Sequence, residues 1–302
     1  MYDIIVIGGG MAGMTACLYA LRNNKKTLLI ENSSIGGQIA QSPKVENYPT
    51  KKQVSGEKLS EELFDQISEL GVEFEFDNIS KIEKQDRVFT LTGEFGQYQG
   101  YSVIIANGVK HRKLKLPNED KLIGHGVYYC AICDGPFYKD KEVTLVGDGN
   151  TALQYALLLS DICSKVNLVI MFDKFFGDQA LVDLVENKPN INIIRNSKTV
   201  ELKGDSELNS IVFEKSDKTQ FEISKTPLFV AIGQIPDNKK FENLADLDEF
   251  GYFDSDETTK TKTEGLFVAG DTRKKSVRQV TTAMCDGAIS ATQACNYLHS
   301  IK

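Results

Sequence analysis

Polar and apolar positions along the chain set out one local plan twice. Residues 2–31, YDIIVIGGGMAGMTACLYALRNNKKTLLIE, open on an unbroken apolar run and pass through a cluster of glycines. They continue with apolar residues at helical spacing and close on a second apolar run ending in Glu31. Strand, tight turn, helix and strand are predicted in that order. Residues 141–170, KEVTLVGDGNTALQYALLLSDICSKVNLVI, repeat the plan with a helix rich in Ala and Leu. No stretch reaches the roughly 18 unbroken apolar residues that a membrane-crossing helix requires. The opening MYDIIVIGGG has no basic segment leading into a long apolar one, and the chain reads as soluble and cytoplasmic, without a membrane partner.

The glycines give the plan a chemistry. In the first copy they fall as Gly8-x-Gly10-x-x-Gly13, in the second as Gly147-x-Gly149-x-x-Ala152. Gly8 permits the tight turn, Gly10 lets backbone N–H groups approach a pyrophosphate at the helix N-terminus, and Gly13 brings helix and strand close. Glu31 stands where an acid accepts hydrogen bonds from the adenosine ribose. Two such units mean two dinucleotide sites, or one site and a relic. The length of 302 residues fits two domains, and 41% apolar with 25% charged residues is an ordinary globular composition. A net charge of −7 argues against general nucleic-acid binding, which needs a surplus of Lys and Arg.

Between the two fingerprints lies a different motif, YYCAICDGPFY, residues 128–138. Cys130 and Cys133 admit three readings: half of a metal site, a structural disulfide, or a redox pair. A zinc site needs a second ligand pair. Cys17, Cys163, Cys285 and Cys295 are scattered and His111, His125 and His299 form no ligand-spaced pair, so no metal is expected. In a reducing compartment permanent disulfides are uncommon, which favours a pair that opens and closes. Asp134 beside it is a candidate proton donor, or simply a turn residue before Gly135.

With these features the chain resembles the bacterial-type, low-molecular-weight thioredoxin reductase family over essentially its full length. The resemblance also rests on Gly36-Gly37-Gln38, on VENYP (Val45–Pro49), and on Ala106-Asn107-Gly108 where the family usually has Ala-Thr-Gly. Further along it rests on VAIGQIP (Val230–Pro236), GLFVAGD ending in Asp271, and RQVTTAMCDG (Arg278–Gly287). It implies FAD as cofactor. The backbone of Gly8, Gly10, Met11, Ala12 and Gly13 would hold the pyrophosphate, and Glu31 the ribose. Gln38 and Asn47 would hydrogen-bond near the isoalloxazine, Asp271 would accept from a ribityl hydroxyl, and Gly37, Ala106, Asn107, Gly108 and Gly270 would also contact the cofactor. Arg278, Gln279 and Val280 would open a helix whose positive end faces the flavin.

Flavin signals at both ends imply two Rossmann-like α/β domains. The FAD domain (1–115 and 246–302) is discontinuous, and the CxxC domain (116–245) is inserted, with crossings near Lys113–Glu119 and Lys240–Asp248. The family further implies a homodimer that reduces thioredoxin or a thioredoxin-like protein, with Cys133 nearer the flavin and Cys130 attacking the partner. A flavin electron-transfer protein and a redox sensor are the competing classes.

One departure bears on the electron donor. Where the family carries the His-Arg-Arg-x-x-x-Arg motif that grips the NADPH 2′-phosphate, this chain has IMFDKFF, Ile170–Phe176. Counting from the first fingerprint places the acid for an NADH ribose at Ile170, which is apolar. Reduced ferredoxin is therefore the expected donor, as in the ferredoxin-dependent branch of the family, with NADPH or NADH as the alternative. Arg273-Lys274-Lys275 and Lys110–Lys113 are the candidate docking cations.

Overall fold

The computed structural model describes residues 1–42 and 45–301. The chain divides into two compact units, one built from Met1–Lys110 with Ile235–Lys302, the other from His111–Gln234. Each unit contains one copy of the repeated plan.

In the first unit the strand Tyr2–Ile7 pairs in parallel with Thr27–Glu31 on one side and Gln97–Ile105 on the other, with Ile7 opposite Ile30 and Ile105. Glu73–Phe76 adds to the parallel set beyond Thr27–Glu31. Leu266–Val268, from the far end of the chain, pairs in parallel with Val103–Ile105. The antiparallel strands Val88–Thr92 and Lys81–Gln85 complete a seven-stranded sheet. Side chains alternate along the first strand. Ile4 and Val6 join Met14, Ala16 and Ala20 of the helix Met11–Arg22, and Ala291, Ala294 and Leu298 of the helix Val280–Ser300. Ile5 and Ile7 join Leu28, Ile30, Phe89, Phe241 and Phe253 on the opposite face. Burial on both faces is why this strand reads as an unbroken apolar run.

The division of the chain falls several residues before the expected crossings, most clearly at the return. Charged residues at 239–248 suggest a surface linker, yet Phe241, Leu244 and Ala245 are core residues of the first unit, packed with Ile5 and Ile7. Lys239–Phe241 is a short 3-10 turn with Lys239 exposed, Lys240 half-buried and the phenylalanine inside, so charge content there misreads the boundary.

The inserted unit has its own five-stranded parallel sheet, in the order Ile191–Ile194, Lys165–Val169, Glu142–Val146, Leu228–Val230, Val127–Tyr128. A three-stranded antiparallel sheet, Ser197–Lys203, Ser210–Lys215 and Gln220–Ser224, lies alongside in sequence. Alternation divides the core here as well. Val143, Leu145 and Phe229 pack with the helix Asn150–Ile162, whereas Val146, Leu228 and Val230 pack with Leu202, Ile211 and Phe213. Among the described residues no helix is long and apolar enough to cross a membrane.

Candidate functional site

Gly8 leaves the first strand at φ +108°, and a Cβ there would stand 2.3 Å from the Ala106 carbonyl oxygen. Only glycine fits. Gly13 is equally confined, its missing Cβ falling 1.8 Å from the Gly8 oxygen. Gly10 is the extended N-cap of the helix that begins at Met11 and Ala12, and no side chain caps it. The first-turn N–H groups are thereby left for an anion. The Gly9 N–H donates to Glu31 Oε2 at 2.6 Å, and the Ser33 N–H and hydroxyl donate to Oε1 at 2.8 and 3.1 Å. Glu31 thus closes the turn itself besides being placed for a ribose.

The other flavin candidates in this unit converge on the same sheet end. The Gly36 N–H donates to the Gly9 oxygen at 2.8 Å, which sets the 3-10 turn Gly37–Gln41 beside Gly10. Gln38 donates its amide N–H to the Val109 carbonyl. Asn47 donates to Gln279 Oε1 at 3.1 Å. The Ala106 N–H donates to the Ile7 oxygen at 2.7 Å, and Gly108 comes next with a positive φ and open space beside it. Asn107 Nδ2 donates to Asn238 Oδ1 at 3.1 Å, while its Oδ1 is buried without a partner.

Asp271 Oδ1 is likewise buried and unpartnered, and burial pushes its carboxyl up to about 6. Arg278 lies 4.2 Å over the Tyr252 ring and donates Nε–H to the Asp271 carbonyl at 3.2 Å. Gln279 is the N-cap of the helix from Val280, with a reciprocal capping box to Thr282. Orphaned acceptors of this kind are what a polyhydroxylated ligand satisfies.

Sequence reasoning misses the residue that fastens this region. Asp286 is buried on the helix Val280–Ser300 and accepts from the Gly270 N–H at 3.0 Å, Arg273 Nη1 at 2.7 Å and Lys275 Nζ at 2.8 Å. A lone acid in TTAMCDGAISATQA is the available signal. The same cluster removes one expected docking surface. Arg273 is only 2% exposed and is held by Ser255, Asp256 and Asp286, Lys275 is largely buried, and only Lys274 projects, paired with Asp254. The other surface is also reduced. His111 stacks on Tyr129 and burial drives its pKa down to about 4, leaving it neutral, and Lys113 is paired with Asp120.

In the inserted unit Cys130 and Cys133 form a disulfide across the four-residue helix Ala131–Asp134, with Cα atoms 5.3 Å apart. Ala131 is buried and Ile132 exposed, and both cysteines are half-buried. Asp134 is next in the chain, itself buried, and desolvation lifts its carboxyl to about 7. Behind the pair the Tyr138 hydroxyl donates to the Tyr128 hydroxyl at 2.7 Å, both rings packing on Phe229. An acid that is half protonated near neutrality, adjacent to a disulfide, is equipped to supply the proton a departing thiolate needs.

The second fingerprint folds as a turn of the first kind. Gly147 has φ +146°, and its missing Cβ would stand 2.3 Å from the Ala231 oxygen. Gly149 caps the helix Asn150–Ile162 without a side-chain hydrogen bond and with open space around it. After Ile170, which is buried, the chain exposes Met171, Phe172 and Phe176, and the Phe176 N–H donates to the Asp148 oxygen at 2.8 Å. Among the described residues no group of three or more His, Cys, Asp or Glu side chains is arranged to hold a metal.

The family model described as pyridine nucleotide-disulphide oxidoreductase matches residues 2–287. The thioredoxin reductase of Peptoclostridium acidaminophilum is 38% identical over 308 residues, 99% of this chain and 98% of that one. The chain belongs to the thioredoxin reductase family. The thioredoxin reductase of Bacillus subtilis (strain 168) is 34% identical over 304 residues, covering 100% of this chain and 96% of its own. The crystal structure of thioredoxin reductase from Streptococcus pyogenes MGAS5005 superimposes with a TM-score of 0.95 at 32% identity, covering 99% of each chain. As a member of this family the protein is an FAD-dependent disulfide oxidoreductase, and the orphaned acceptors at Asp271 and Asn107 beside the glycine turn fit that cofactor.

Proposed function

We propose that the protein is a thioredoxin reductase driven by a reduced nicotinamide dinucleotide, with Cys130 and Cys133 as its exchanging thiols. The observation that carries this reading is a half-buried disulfide flanked by a buried carboxyl held at about 7. FAD, when bound, supplies a two-electron carrier between the donor and the disulfide. The backbone of Gly8–Gly13 and Glu31 would hold its pyrophosphate and adenosine ribose. Gly37, Gln38, Asn47 and Ala106–Gly108 would hold its ring, Gly270-Asp271 its ribityl chain, and the helix end at Arg278–Val280 its pyrimidine edge.

Once the pair is reduced, the Cys130 thiolate attacks one sulfur of the substrate disulfide and expels the other as a thiolate, which takes its proton from Asp134. The Cys133 thiolate then attacks Cys130, restores the disulfide and releases the second substrate thiolate to be protonated by solvent. Two electrons and two protons reach the substrate.

The donor is assigned to the turn Gly147–Ala152, whose open Gly149 and uncapped helix keep the features a dinucleotide pyrophosphate uses. Ferredoxin, the donor expected from the sequence, keeps little of its docking argument, because Arg273 is buried and paired, Lys275 is largely buried and paired, and His111 is neutral, which leaves Lys110 and Arg112 as the exposed cations beside the paired Lys113 and Lys274. The thioredoxin reductases that this chain resembles bring it no support either. Steady-state reduction of thioredoxin, measured by thiol release, tests the assignment. Cys130→Ser and Cys133→Ser should each abolish turnover while the protein keeps its FAD absorbance, and turnover by either variant would sink it.

A further inference from the structure

The inserted unit departs from a phosphate-reading site at one place, the segment Ile170–Phe176 directly after the strand Lys165–Val169. In a strand-turn-helix-strand unit the end of the second strand is where the adenosine ribose of a bound dinucleotide is read. A 2′-hydroxyl is ordinarily read there by an acid, which the buried Ile170 does not supply, but as a neutral group it can stay hydrated, whereas a 2′-phosphate needs cations to offset its desolvation. The structure adds to the sequence pattern what the side chains do. Met171, Phe172 and Phe176 are 55%, 46% and 58% exposed, and the two phenylalanine rings meet edge to face with centroids 5.2 Å apart. Phe176 is bound to the glycine turn itself, through its N–H to the Asp148 oxygen and a bridge to Gly149. An apolar edge is therefore built onto the mouth of the pyrophosphate turn.

The cations nearby are committed or weak. Arg195 donates Nε–H to the Asp173 carbonyl at 3.1 Å, pairs with Glu186 and lies 5.7 Å over the Phe175 ring, so it braces the segment from behind. Lys174 lies 5.6 Å over the Phe176 ring, exposed to solvent, with the carboxylate of Asp173 next to it in sequence. One solvated ammonium beside an acid is a poor reader of a dianion.

We infer that the donor is NADH rather than NADPH, and that Met171, Phe172 and Phe176 set this specificity by presenting aromatic and thioether surface to the adenosine where a phosphate would require charge. The inference rests on the nicotinamide reading of the second turn. It is tested on the FAD-loaded enzyme by anaerobic titration of flavin bleaching with NADH and with NADPH, and by calorimetric binding of NAD+ and NADP+. NADH should bind at least about tenfold more tightly than NADPH, the factor that one missing charge-assisted contact represents. Met171→Arg with Phe172→Arg, both at exposed positions, should tighten NADPH by about tenfold or more and weaken NADH, which loses the apolar surface offered to its adenosine. Equal or tighter binding of NADPH by the unaltered protein overturns the inference but leaves the nicotinamide reading standing. Failure of both dinucleotides to bind or to bleach overturns both. An arginine pair that leaves NADPH unimproved overturns the role given to this edge.

Discussion

The two glycine turns share a backbone and differ in the side chains beyond them. Gly8 and Gly147 both take a positive φ, and each is pressed to 2.3 Å, at the position of its missing Cβ, from the carbonyl oxygen of an alanine just past the end of a neighbouring strand, Ala106 or Ala231. Each leads into a helix capped by an extended glycine. After the first turn the next strand ends in Glu31, buried and tied back to Gly9, and the surroundings offer orphaned acceptors and a buried ion cluster. After the second turn the corresponding strand runs into a buried isoleucine and an exposed aromatic edge. Identical turns therefore do not specify identical ligands. The turn fixes only that a pyrophosphate can approach, and the side chains past the second strand decide which dinucleotide is retained and how firmly.

The widest separation between the two should come from adding one methyl group to each. Gly8→Ala places a Cβ against the Ala106 carbonyl and also demands a disfavoured φ, so the purified protein should be colourless and should not recover FAD absorbance on reconstitution. Gly147→Ala imposes the same strain in the inserted unit, and this protein should remain yellow while losing donor-driven bleaching. A yellow Gly8→Ala variant would dissolve the contrast.

Asp286→Ala tests the ion cluster that, among the described residues, has no counterpart beside the second turn. It leaves Arg273 buried with one fewer carboxylate and Lys275 without its partner, at a cost of about 3–5 kcal/mol. Chemical denaturation should show a lower midpoint with FAD released early. A midpoint within error of the parent would mean that the cluster contributes nothing to the first site.

Asp134→Asn should lower thioredoxin turnover by about a hundredfold while leaving both turns and their ligands intact. In the parent, turnover should fall as pH rises through about 7, because the proton donor is lost. Stability of the folded protein also falls over this range. The folded carboxyl binds its proton more tightly than the unfolded one, so the burial penalty grows between about 4 and about 7 as pH rises. Asp134→Asn should flatten that dependence, and an unchanged profile would remove Asp134 from the proton path.

The smallest effect belongs to Lys274→Ala. Its side chain is exposed and its pairing with Asp254, at 3.5 Å, is a surface one, so bleaching rates with any donor should stay within about twofold. A large loss with a protein donor alone would return that face to the docking role.

Much of this is legible in the sequence because turns and redox pairs are local. Gly8 to Gly13, Glu31, and Cys130 to Asp134 announce themselves within a few residues of chain, where backbone geometry and thiol chemistry permit few alternatives. The illegible part depends on contacts across long separations. Arg273 and Lys275 look like a basic patch until Asp286 is seen to face them, and His111 looks like a cation until Tyr129 covers it. The return boundary fails for the same reason, since Phe241 discloses its burial only through Ile5 and Ile7. The second turn shows the limit from the other side. Its missing arginines are visible in the sequence, but not that Phe176 is hydrogen-bonded onto the turn or that Arg195 is occupied in bracing the segment.

The first unit is completed by the end of the chain, and this orders its birth. During synthesis residues 1–110 emerge without Leu266–Val268, which pairs with Val103–Ile105, and without the helix Val280–Ser300, which covers Met14, Ala16 and Ala20. Asn238, fully buried, joins Asn107 to Gly251 and Thr272 and is translated between them. The inserted unit, contiguous from His111 to Gln234, has its own strands before those segments are made, and it is expected to fold first although it comes second. The growing polypeptide is therefore expected to expose the apolar residues that the helix Val280–Ser300 covers until that helix emerges, an interval open to chaperone binding.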